Sequence, residues 1–311
     1  MRVVVLAGGF GGARMAHGFA QLTDAVELTV IVNTADDLEL HGLHVSPDLD
    51  TVMYTLAGLA NADTGWGVRD ETWSAAEMLE RYGLPTWFGL GDRDLATHVA
   101  RTAWLSAGAP LSTVTTRLAT ALGVKAQLLP MSDDPVRTKV RTHSGWLDFQ
   151  DYFVRRRHAE EALELRFDGI DEARPLPAAL AALAGAELIV LAPSNPFVSI
   201  APILGVPGML TAVRAAPTRV MAVSLIAGGR AFRGPAAQML RSLAAETGSG
   251  GLARFYGGSY PQLIDVFVLD SVDAGEASDV AAVGMAARVE RTVLATDEDR
   301  RALARRLLEG D

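Results

Sequence analysis

The stretch VVVLAGGFGGARMAHGFAQL, residues 3–22, is the segment around which the predicted fold is organised. Its first five residues are apolar and mostly β-branched, which predicts a buried parallel strand. The glycine-rich segment 8–12 follows directly, and Met15, Phe19 and Leu22 then recur at the spacing of one apolar helix face. A strand, a glycine loop and a helix in this order predict an α/β fold whose loop binds an anion, because the N–H groups at the helix start face it.

The glycine loop itself has two interpretations. A tight strand-to-helix turn also uses glycine, for its dihedral angles alone. Because four glycines in five positions exceed the needs of such a turn, we predict a phosphate site at Gly8, Gly9, Gly11 and Gly12. The loop matches neither common nucleotide motif: Gly12 is not followed by Lys-Ser or Lys-Thr, and Arg14 stands where a dinucleotide loop has its third glycine. The second predicted strand ends at Asn33, with no acid for a ribose.

The composition excludes several classes of protein. The chain has 311 residues, 49% hydrophobic and 21% charged, which suffices for one large or two small domains. A net charge of −9 argues against general nucleic-acid binding. The absence of cysteine excludes disulfides and thiolate chemistry. The first apolar run is too short for a signal peptide, and no window approaches the ~20 residues of a membrane span. We therefore expect a cytoplasmic protein with no membrane or nucleic-acid partner.

Acidic residues cluster just after the second predicted strand, Leu28–Val32. Carboxyl ends of neighbouring parallel strands meet at one edge of a sheet, so these acids should face the glycine loop. Carboxylate oxygens suit a phosphate-bound Mg²⁺. The alternative is that these aspartates cap helices and form turns, and Asp48 suits a cap. We assign metal binding to Asp36 and Asp50.

The rest of the chain predicts an α/β fold with a mostly parallel sheet, in a single domain over residues 1–311. Residues 51–123 read as a helical lobe within it, with a capping box from Ser74 to Glu77. A hairpin is predicted within 139–147, and Thr296 and Asp299 cap a terminal helix. Further strands are predicted at Ala126–Leu129, Leu188–Leu191, Arg219–Leu225, Ile264–Leu269 and Thr292–Leu294.

Three later segments add candidate ligand-binding residues. In WFGLGDRDLATH, residues 87–98, either an aspartate caps a helix in a solvated charge cluster, or Arg93 binds an anion or a planar ring; the segment alone favours the first. Ser194 and Asn195 lie between two prolines after a strand and offer hydroxyl and amide groups to a phosphate or a base. The segment GGRAFRGP, residues 228–235, either contacts a phosphate or forms a plain turn.

Six segments in order resemble the 2-phospho-L-lactate transferase family of coenzyme F-420 biosynthesis, which includes bacterial phosphoenolpyruvate transferases. Any one of them would be weak, but together they cover almost the whole chain. They are GGFGGAR at 8–14, NTADD at 33–37, SPDLDT at 46–51, GLGDRDLATH at 89–98, PMSDDPVRT at 130–138 and APSNPFVSI at 192–200.

The resemblance implies a Mg²⁺-dependent transferase with a Rossmann-like core. The donor in that family is GDP carrying a three-carbon acid, supplied by a partner guanylyltransferase. The acceptor is Fo, a 5-deazaflavin whose ribityl hydroxyl attacks the phosphoryl group attached to the three-carbon unit, so that GMP leaves. The family's Fo-binding aspartate matches Asp50, and its basic Fo-binding residue matches Arg93, which reverses the preference for a mere charge cluster there.

The residues identified above take roles under this resemblance. The glycine loop holds the donor diphosphate, Mg²⁺ on Asp36 and Asp50 neutralises charge, and Asp50 also orients the attacking hydroxyl as its base. Ser194 and Asn195 are assigned to the guanosine. The sequence leaves open a phosphoenolpyruvyl, phospholactyl or phosphoglyceryl donor. Members of the family are often dimers, which makes a homodimer a candidate, while the sequence leaves the oligomeric state open.

Two other classes of function remain as alternatives. A related family of nucleotide-binding regulators, of the gluconeogenesis-factor type, shares the glycine loop and the Ser-Asn-Pro strand end. Such a protein would bind a sugar nucleotide without turnover, and the Arg93 segment and the acids facing the deazaflavin argue against it. A nicotinamide oxidoreductase is disfavoured by the missing third glycine and ribose acid.

Overall fold

The computed structural model describes residues 1–62, 64–231 and 234–309. The predicted 228–235 loop therefore lies partly outside the described residues, at positions 232 and 233. The strands are β1 (Arg2–Ala7), β2 (Glu27–Val32), β3 (Leu38–Leu40), β4 (Leu43–Val45), β5 (Gln127–Pro130), β6 (Arg137–Thr142), β7 (Gly145–Asp148), β8 (Glu164–Asp168), β9 (Leu188–Leu191), β10 (Val220–Val223), β11 (Ile226–Ala227), β12 (Arg230–Ala231), β13 (Val266–Asp270) and β14 (Ala286–Glu290).

Helices connect most of these strands. They are α1 (Gly9–Ala20), α2 (Pro47–Leu56), α3 (Ser74–Arg81), α4 (Asp92–Ser106), α5 (Leu111–Ala121), α6 (Pro177–Ala184), α7 (Ala201–Gly205), α8 (Met209–Ala215), α9 (Ala236–Ala244), α10 (Gly248–Ser259), α11 (Ala277–Ala282) and α12 (Asp297–Leu308). Short helical turns lie at Asp151–Arg155, Pro196–Ile200 and Ser271–Glu276.

The central sheet has seven strands in the order β14-β13-β10-β9-β1-β2-β5, and all of its pairings are parallel. From β1 the chain moves outward to β2 and β5, and then returns to β9 on the other side of β1. The loops after β1 and β9 therefore leave the sheet in opposite directions and open a crevice between them. The predicted Rossmann-like parallel sheet is confirmed.

Strand β1 is buried on both faces of the sheet. Val3 and Val5 pack into one core cluster, with residues of α1, α2, α5 and α12. Val4 and Leu6 pack into the other, which includes residues of α6, α8, α9 and α10. Successive side chains of a strand point to opposite faces, so a strand covered on both sides needs apolar residues throughout. This explains the continuous apolar run at the start of the sequence.

The chain between the neighbouring strands β2 and β5 forms the β3–β4 hairpin and then helices α2 to α5. The capping box predicted from Ser74 to Glu77 is wrong. Helix α3 begins at Ser74, and the N–H groups of Ser74 and Ala75 donate to the Asp92 carboxylate at 3.2 and 2.9 Å. Glu71 in turn accepts the N–H groups of Arg93 and Asp94 at 2.7 and 3.1 Å. A carboxylate from the neighbouring segment thus caps each helix, which local spacing does not reveal.

The end of the sheet also differs from the prediction. Residues Thr292–Leu294 are not a strand, and β14 pairs with β13 instead. The N–H and Oγ1 of Thr292 donate to Asp270 Oδ2 at 2.7 and 3.1 Å. The Asp270 side chain therefore accepts the backbone N–H that would otherwise pair with a neighbouring strand. The hairpin predicted within 139–147 is confirmed as β6–β7, and β8, which the sequence did not predict, pairs with β6. The capping box of Thr296 and Asp299 is confirmed.

A search of the described helices for membrane spans finds no single one with the length and apolarity to cross a bilayer. Only Pro196–Gly205 and Met209–Ala215 taken together reach that length and composition, and they are bent by 84°.

Candidate active site

A cavity of about 360 Å³ opens at the crevice between β1 and β9. The loops after both strands line it, at Gly8, Gly9 and Gly11 on one side and at Pro193–Asn195 on the other. Asp36, which follows β2, also lines it. The carboxyl ends of the strands thus bring together segments that are far apart in the chain, as expected for a parallel sheet.

The predicted anion loop makes a close contact with the segment that follows β9. Helix α1 begins at Gly9, and the N–H groups of Gly8 and Gly9 donate to Ser194 Oγ at 3.0 Å and Asp48 Oδ1 at 2.8 Å. A Cβ on Gly11 would lie 2.0 Å from the Pro193 carbonyl oxygen, and one on Gly12 2.6 Å from Ser194 Oγ. Gly11 and Gly12 therefore let the helix start approach the loop after β9. Gly12 is not among the residues that line the cavity.

Three buried aspartates form a first acidic cluster beside this loop. Asp48 accepts hydrogen bonds from the Gly9 N–H and from Asn33 Nδ2, the latter at 2.9 Å. Asp37 Oδ2 accepts from Ser46 Oγ at 2.8 Å and lies 2.9 Å from His44 Nε2. The Oδ1 atoms of Asp36 and Asp37 are buried without a hydrogen-bond partner among the described residues. Such atoms lose their hydration and gain nothing in return, so the cluster favours an added proton or cation.

The pKa values of Asp36 and Asp48 reflect the cost of burying their charges. Burial raises the pKa of Asp48 to about 6. Burial, together with the neighbouring charge of Asp48, raises the pKa of Asp36 well above its usual range. Because both carboxyls have a higher pKa in the folded than in the unfolded chain, they favour folding below a pH of about 4. This contribution is lost as the pH rises through about 6 for Asp48.

We expect Asp36→Asn to stabilise the protein at pH 8 and to change little at pH 4. At pH 8 the substitution removes a buried charge with an unpartnered oxygen, and at pH 4 that carboxyl is already protonated in the folded chain. Thermal unfolding at both pH values, in metal-free buffer, measures the difference as a rise in Tm of several degrees at pH 8 only. The exposed Asp24→Asn is the control and should shift neither value. An equal loss of Tm at both pH values would contradict the expectation.

A second polar cluster joins α2 to α4. Asp50, in the first turn of α2, accepts hydrogen bonds from both terminal nitrogens of Arg101 on α4, the Nη1 contact being 3.0 Å. Arg101 Nη1 also lies 3.1 Å from His98 Nδ1, and His98 Nε2 lies 3.3 Å from Asp94 Oδ1. Tyr54 Oη donates to Asp94 Oδ1 at 2.8 Å. The ligand atoms of Asp50, Asp94 and His98 lie within 4.8 Å of one another.

The two aspartates predicted to share a metal thus lie in different clusters. Asp36 neighbours Asp48, whereas Asp50 is grouped with Asp94 and His98; Asp36 and Asp50 both line the cavity. The sequence patterns predicted no role for Arg101 or Tyr54. The spacing of Asp94, His98 and Arg101 at i, i+4 and i+7, on one face of α4, was the sequence signal for this cluster. Polar side chains that are buried on one helix face need hydrogen-bond partners on a neighbouring element.

The other predicted ligand residues are placed as follows. Asn195 lines the cavity, and its Oδ1 accepts the Phe197 N–H at 2.9 Å, which caps a helical turn. Ser194 Oγ donates to the Gly8 carbonyl at 2.8 Å. Arg93 is exposed, donates to the Arg69 carbonyl at 3.3 Å and does not line the cavity in this conformation. Of these residues, the structure brings Ser194 and Asn195 to the glycine loop.

The fold and the cavity together define an α/β protein with a cavity at the topological switch point of a parallel sheet, the place where ligands bind in such folds. The family model described as 2-phospho-L-lactate transferase CofD matches residues 3–308. The chain belongs to this family, and it is accordingly a phosphotransferase of coenzyme F-420 biosynthesis.

Curated relatives agree with this assignment. A protein named phosphoenolpyruvate transferase from Streptomyces griseus subsp. griseus is 45% identical, with 99% of this chain and 98% of the relative covered. Proteins of the same name from Kitasatospora aureofaciens and Thermobifida fusca are 45% and 43% identical, with 99% and 98% of this chain and 97% and 96% of the relatives covered.

Among solved structures, a UPF0052 family protein from Bacillus halodurans is similar in fold. It has a TM-score of 0.69 and 17% sequence identity, and the comparison covers 99% of this chain and 98% of that one. A second crystal structure from the same organism gives a TM-score of 0.68 at 18% identity, covering 99% of each chain. At this identity the likeness concerns the fold alone.

Proposed function

We propose that the protein transfers a phosphoenolpyruvyl unit from its GDP-linked donor to the ribityl hydroxyl of Fo, in a Mg²⁺-dependent reaction that releases GMP. The product is a phosphodiester, the dehydro form of coenzyme F-420 before glutamates are added. The choice of phosphoenolpyruvyl over phospholactyl or phosphoglyceryl rests on the name that the curated relatives share. The choice of Fo as acceptor and of a guanosine nucleotide in the donor rests on the resemblance to the family.

The charge of the cavity is the observation that carries the cation requirement. Asp36, Asp48, Asp50 and Asp94 line it, and no Arg or Lys does so within the described part of the chain. The diphosphate and carboxylate of the proposed donor are anionic, so they would meet carboxylates rather than cations. Among the described residues the lining offers no Arg or Lys to offset this charge, so we assign that role to a bound cation, because like charges at contact distance repel by several kcal/mol in a partly buried site.

The residues present fit a hard divalent cation. Asp36 offers a buried oxygen without a partner, and Asp50 lies with Asp94 and His98 at ligand spacing. Mg²⁺ prefers carboxylate oxygens and retains several waters. We assign Asp36 and Asp50 as its ligands, with Asp94 available beside Asp50. When bound, the cation supplies neutralisation of the phosphate charge.

The chain's own residues bind the donor and carry out the proton transfer. The N–H groups of Gly8 and Gly9 exchange their partners Ser194 and Asp48 for donor phosphate oxygens at the start of α1. Ser194 and Asn195 contact the guanosine side of the donor. The Fo hydroxyl oxygen forms the new P–O bond, the P–O bond to GMP breaks, and Asp50 accepts the hydroxyl proton.

Arg93 is proposed as the basic Fo-binding residue. It precedes Asp94, which lines the cavity, at the start of α4. Its guanidinium is exposed and, among the described residues, donates a single hydrogen bond, of 3.3 Å to the Arg69 carbonyl, so rotation toward a bound planar ring costs little. A guanidinium can stack on such a ring.

A coupled assay tests the proposed reaction. The protein is incubated with Fo, Mg²⁺, GTP, the partner guanylyltransferase and one three-carbon phosphate at a time, and products are identified by mass. We expect a phosphodiester of Fo with phosphoenolpyruvate. Product only with 2-phospho-L-lactate or a phosphoglycerate would change the donor. No product with any donor, together with tight nucleotide binding, would favour a regulatory protein. Native mass spectrometry of the same sample tests whether the protein is a homodimer.

Removal of Mg²⁺ should weaken nucleotide binding strongly. One unscreened charge contact in such a site is about 4 kcal/mol, so we expect the affinity for GDP to fall at least about 100-fold in EDTA. Calorimetric titration with GDP in Mg²⁺ and in EDTA, at equal ionic strength set with NaCl, measures the change. Equal affinity in the two buffers would overturn the cation requirement while leaving the coupled assay to test the reaction.

A further inference from the structure

The cluster between α2 and α4 contains a buried arginine with no role in the reaction described so far. Arg101 is 1% exposed and does not line the cavity, whereas Asp50 does. Both terminal nitrogens of Arg101 donate to the two oxygens of Asp50, and Nη1 also lies 3.4 Å from the His44 carbonyl. The guanidinium therefore holds the carboxylate from the side away from the cavity, in the two-point geometry that fixes the plane of a carboxylate.

His98 extends this arrangement. An arginine has only donors, so the 3.1 Å contact between Arg101 Nη1 and His98 Nδ1 requires Nδ1 to accept. The proton of the neutral imidazole is then on Nε2, which lies 3.3 Å from Asp94 Oδ1. Asp94 accepts a hydrogen bond from Tyr54 Oη, so α2 and α4 are joined at two levels, by Asp50 with Arg101 and by Tyr54 with Asp94.

We propose that Arg101 is the positioning residue of Asp50: it holds the carboxylate in the orientation that receives the ribityl hydroxyl, without touching the substrate. The inference rests on the proposed function, because it assigns Asp50 to the acceptor. A buried ion pair contributes little net stability, because the cost of desolvating both charges offsets their attraction. Stabilising the contact between α2 and α4 therefore does not explain why this ion pair is buried. Orientation of a reacting group, by contrast, is sensitive to displacements of about 1 Å, which cost about 100-fold in rate.

Three variants separate positioning from packing. Arg101→Gln removes the two-point contact with the Asp50 carboxylate. Arg101→Lys keeps the positive charge but can contact the carboxylate through one nitrogen only. The double variant Asp50→Asn with Arg101→Gln removes both charges, so that no buried carboxylate is left without a partner. Arg117→Gln, at an exposed position of α5, is the matched control. The readouts are kcat, the affinity for Fo from its fluorescence, the affinity for GDP from calorimetry, and Tm, all with Mg²⁺.

We expect Arg101→Gln to lower kcat about 100-fold and to weaken Fo binding, while GDP affinity falls by a smaller factor, because Asp36 still binds the donor's cation. Arg101→Lys should recover part of the loss. In the Asp50→Asn background, Arg101→Gln should have no further effect on kcat or Fo affinity, because Arg101 acts through Asp50. The control should match the parent protein in every readout.

The opposite results overturn the inference. Equal loss of Fo and GDP affinity with a lowered Tm, or the same effect of Arg101→Gln in the presence and absence of Asp50, would make Arg101 a packing residue. If Arg101→Gln does not fold, the double variant and Arg101→Lys decide in the same way. The parent protein is measured first: no binding of Fo by the parent would contradict the proposed function itself, whereas Fo binding that Arg101→Gln leaves unchanged would contradict only the role of Arg101.

Discussion

Asp50→Asn should lower kcat for the transfer by about 10²–10⁴-fold, the range typical for loss of a general base. Asp50 lines the cavity, and its carboxylate is the group assigned to the ribityl hydroxyl. An amide has the same shape but accepts no proton. The substitution also leaves the Arg101 guanidinium buried without its counter-charge, so we expect the free energy of unfolding to fall by about 3 kcal/mol. The coupled assay at saturating Mg²⁺ and Fo, and denaturant unfolding, measure the two effects.

The control for this experiment is Asp148→Asn. Asp148 is exposed and pairs with Lys139 at the surface, so its loss should leave kcat unchanged and alter stability by less than about 1 kcal/mol. Near-normal turnover of Asp50→Asn at saturating Mg²⁺ would remove Asp50 from the catalytic step. A loss of GDP affinity as large as the loss of kcat would instead restrict Asp50 to binding the donor's cation, with no part in proton transfer.

Gly11→Ala should disrupt the site by a different route. Its Cβ would lie 2.0 Å from the Pro193 carbonyl oxygen, and that oxygen belongs to backbone that cannot rotate away. The start of α1 and the loop after β9 must then separate by about an ångström, at a cost of about 3 kcal/mol for overpacking. Because both segments line the cavity, we also expect GDP affinity to fall at least about tenfold.

Gly258→Ala is the matched substitution at a site without such a contact. Gly258 is an exposed residue of α10, and a Cβ there meets nothing within 4 Å. Alanine favours a helix over glycine by up to about 1 kcal/mol, so this variant should be as stable as the parent or more so. Thermal unfolding and calorimetric titration with GDP measure both variants. Unchanged stability and GDP affinity in Gly11→Ala would show that the two segments need not approach so closely.

Sequence patterns were sufficient where the structure is decided locally. The apolar run before Gly8 predicts β1 because a strand covered on both faces has no polar positions, and the capping box of Thr296 and Asp299 is complete within four residues. The strand predicted at Thr292–Leu294 fails because Asp270, far away in the chain, takes the N–H of Thr292. The capping box at Ser74 fails for the same reason, since Asp92 caps that helix.

Glycine spacing illustrates the limit of a motif. Four glycines in the loop predicted an anion site, and the structure places Gly8 and Gly9 at the cavity with N–H groups that have Ser194 and Asp48 as partners. The closeness of Gly11 to the loop after β9 depends on strand order, which no local pattern carries. Glycine at that position is explained by the close approach of two backbones as well as by an anion.

The sequence by itself determined the class of fold, the family, and the edge of the sheet at which the candidate site lies. Strand patterns and the six ordered segments can each be recognised from short stretches of sequence, without knowledge of the tertiary structure. Only the tertiary structure decided how the acids are grouped: Asp36 with Asp48, and Asp50 with Arg101 and His98. The physical reason is that burial and pairing of charges depend on which helices pack together, and the contact of α2 with α4 is formed by residues about fifty positions apart.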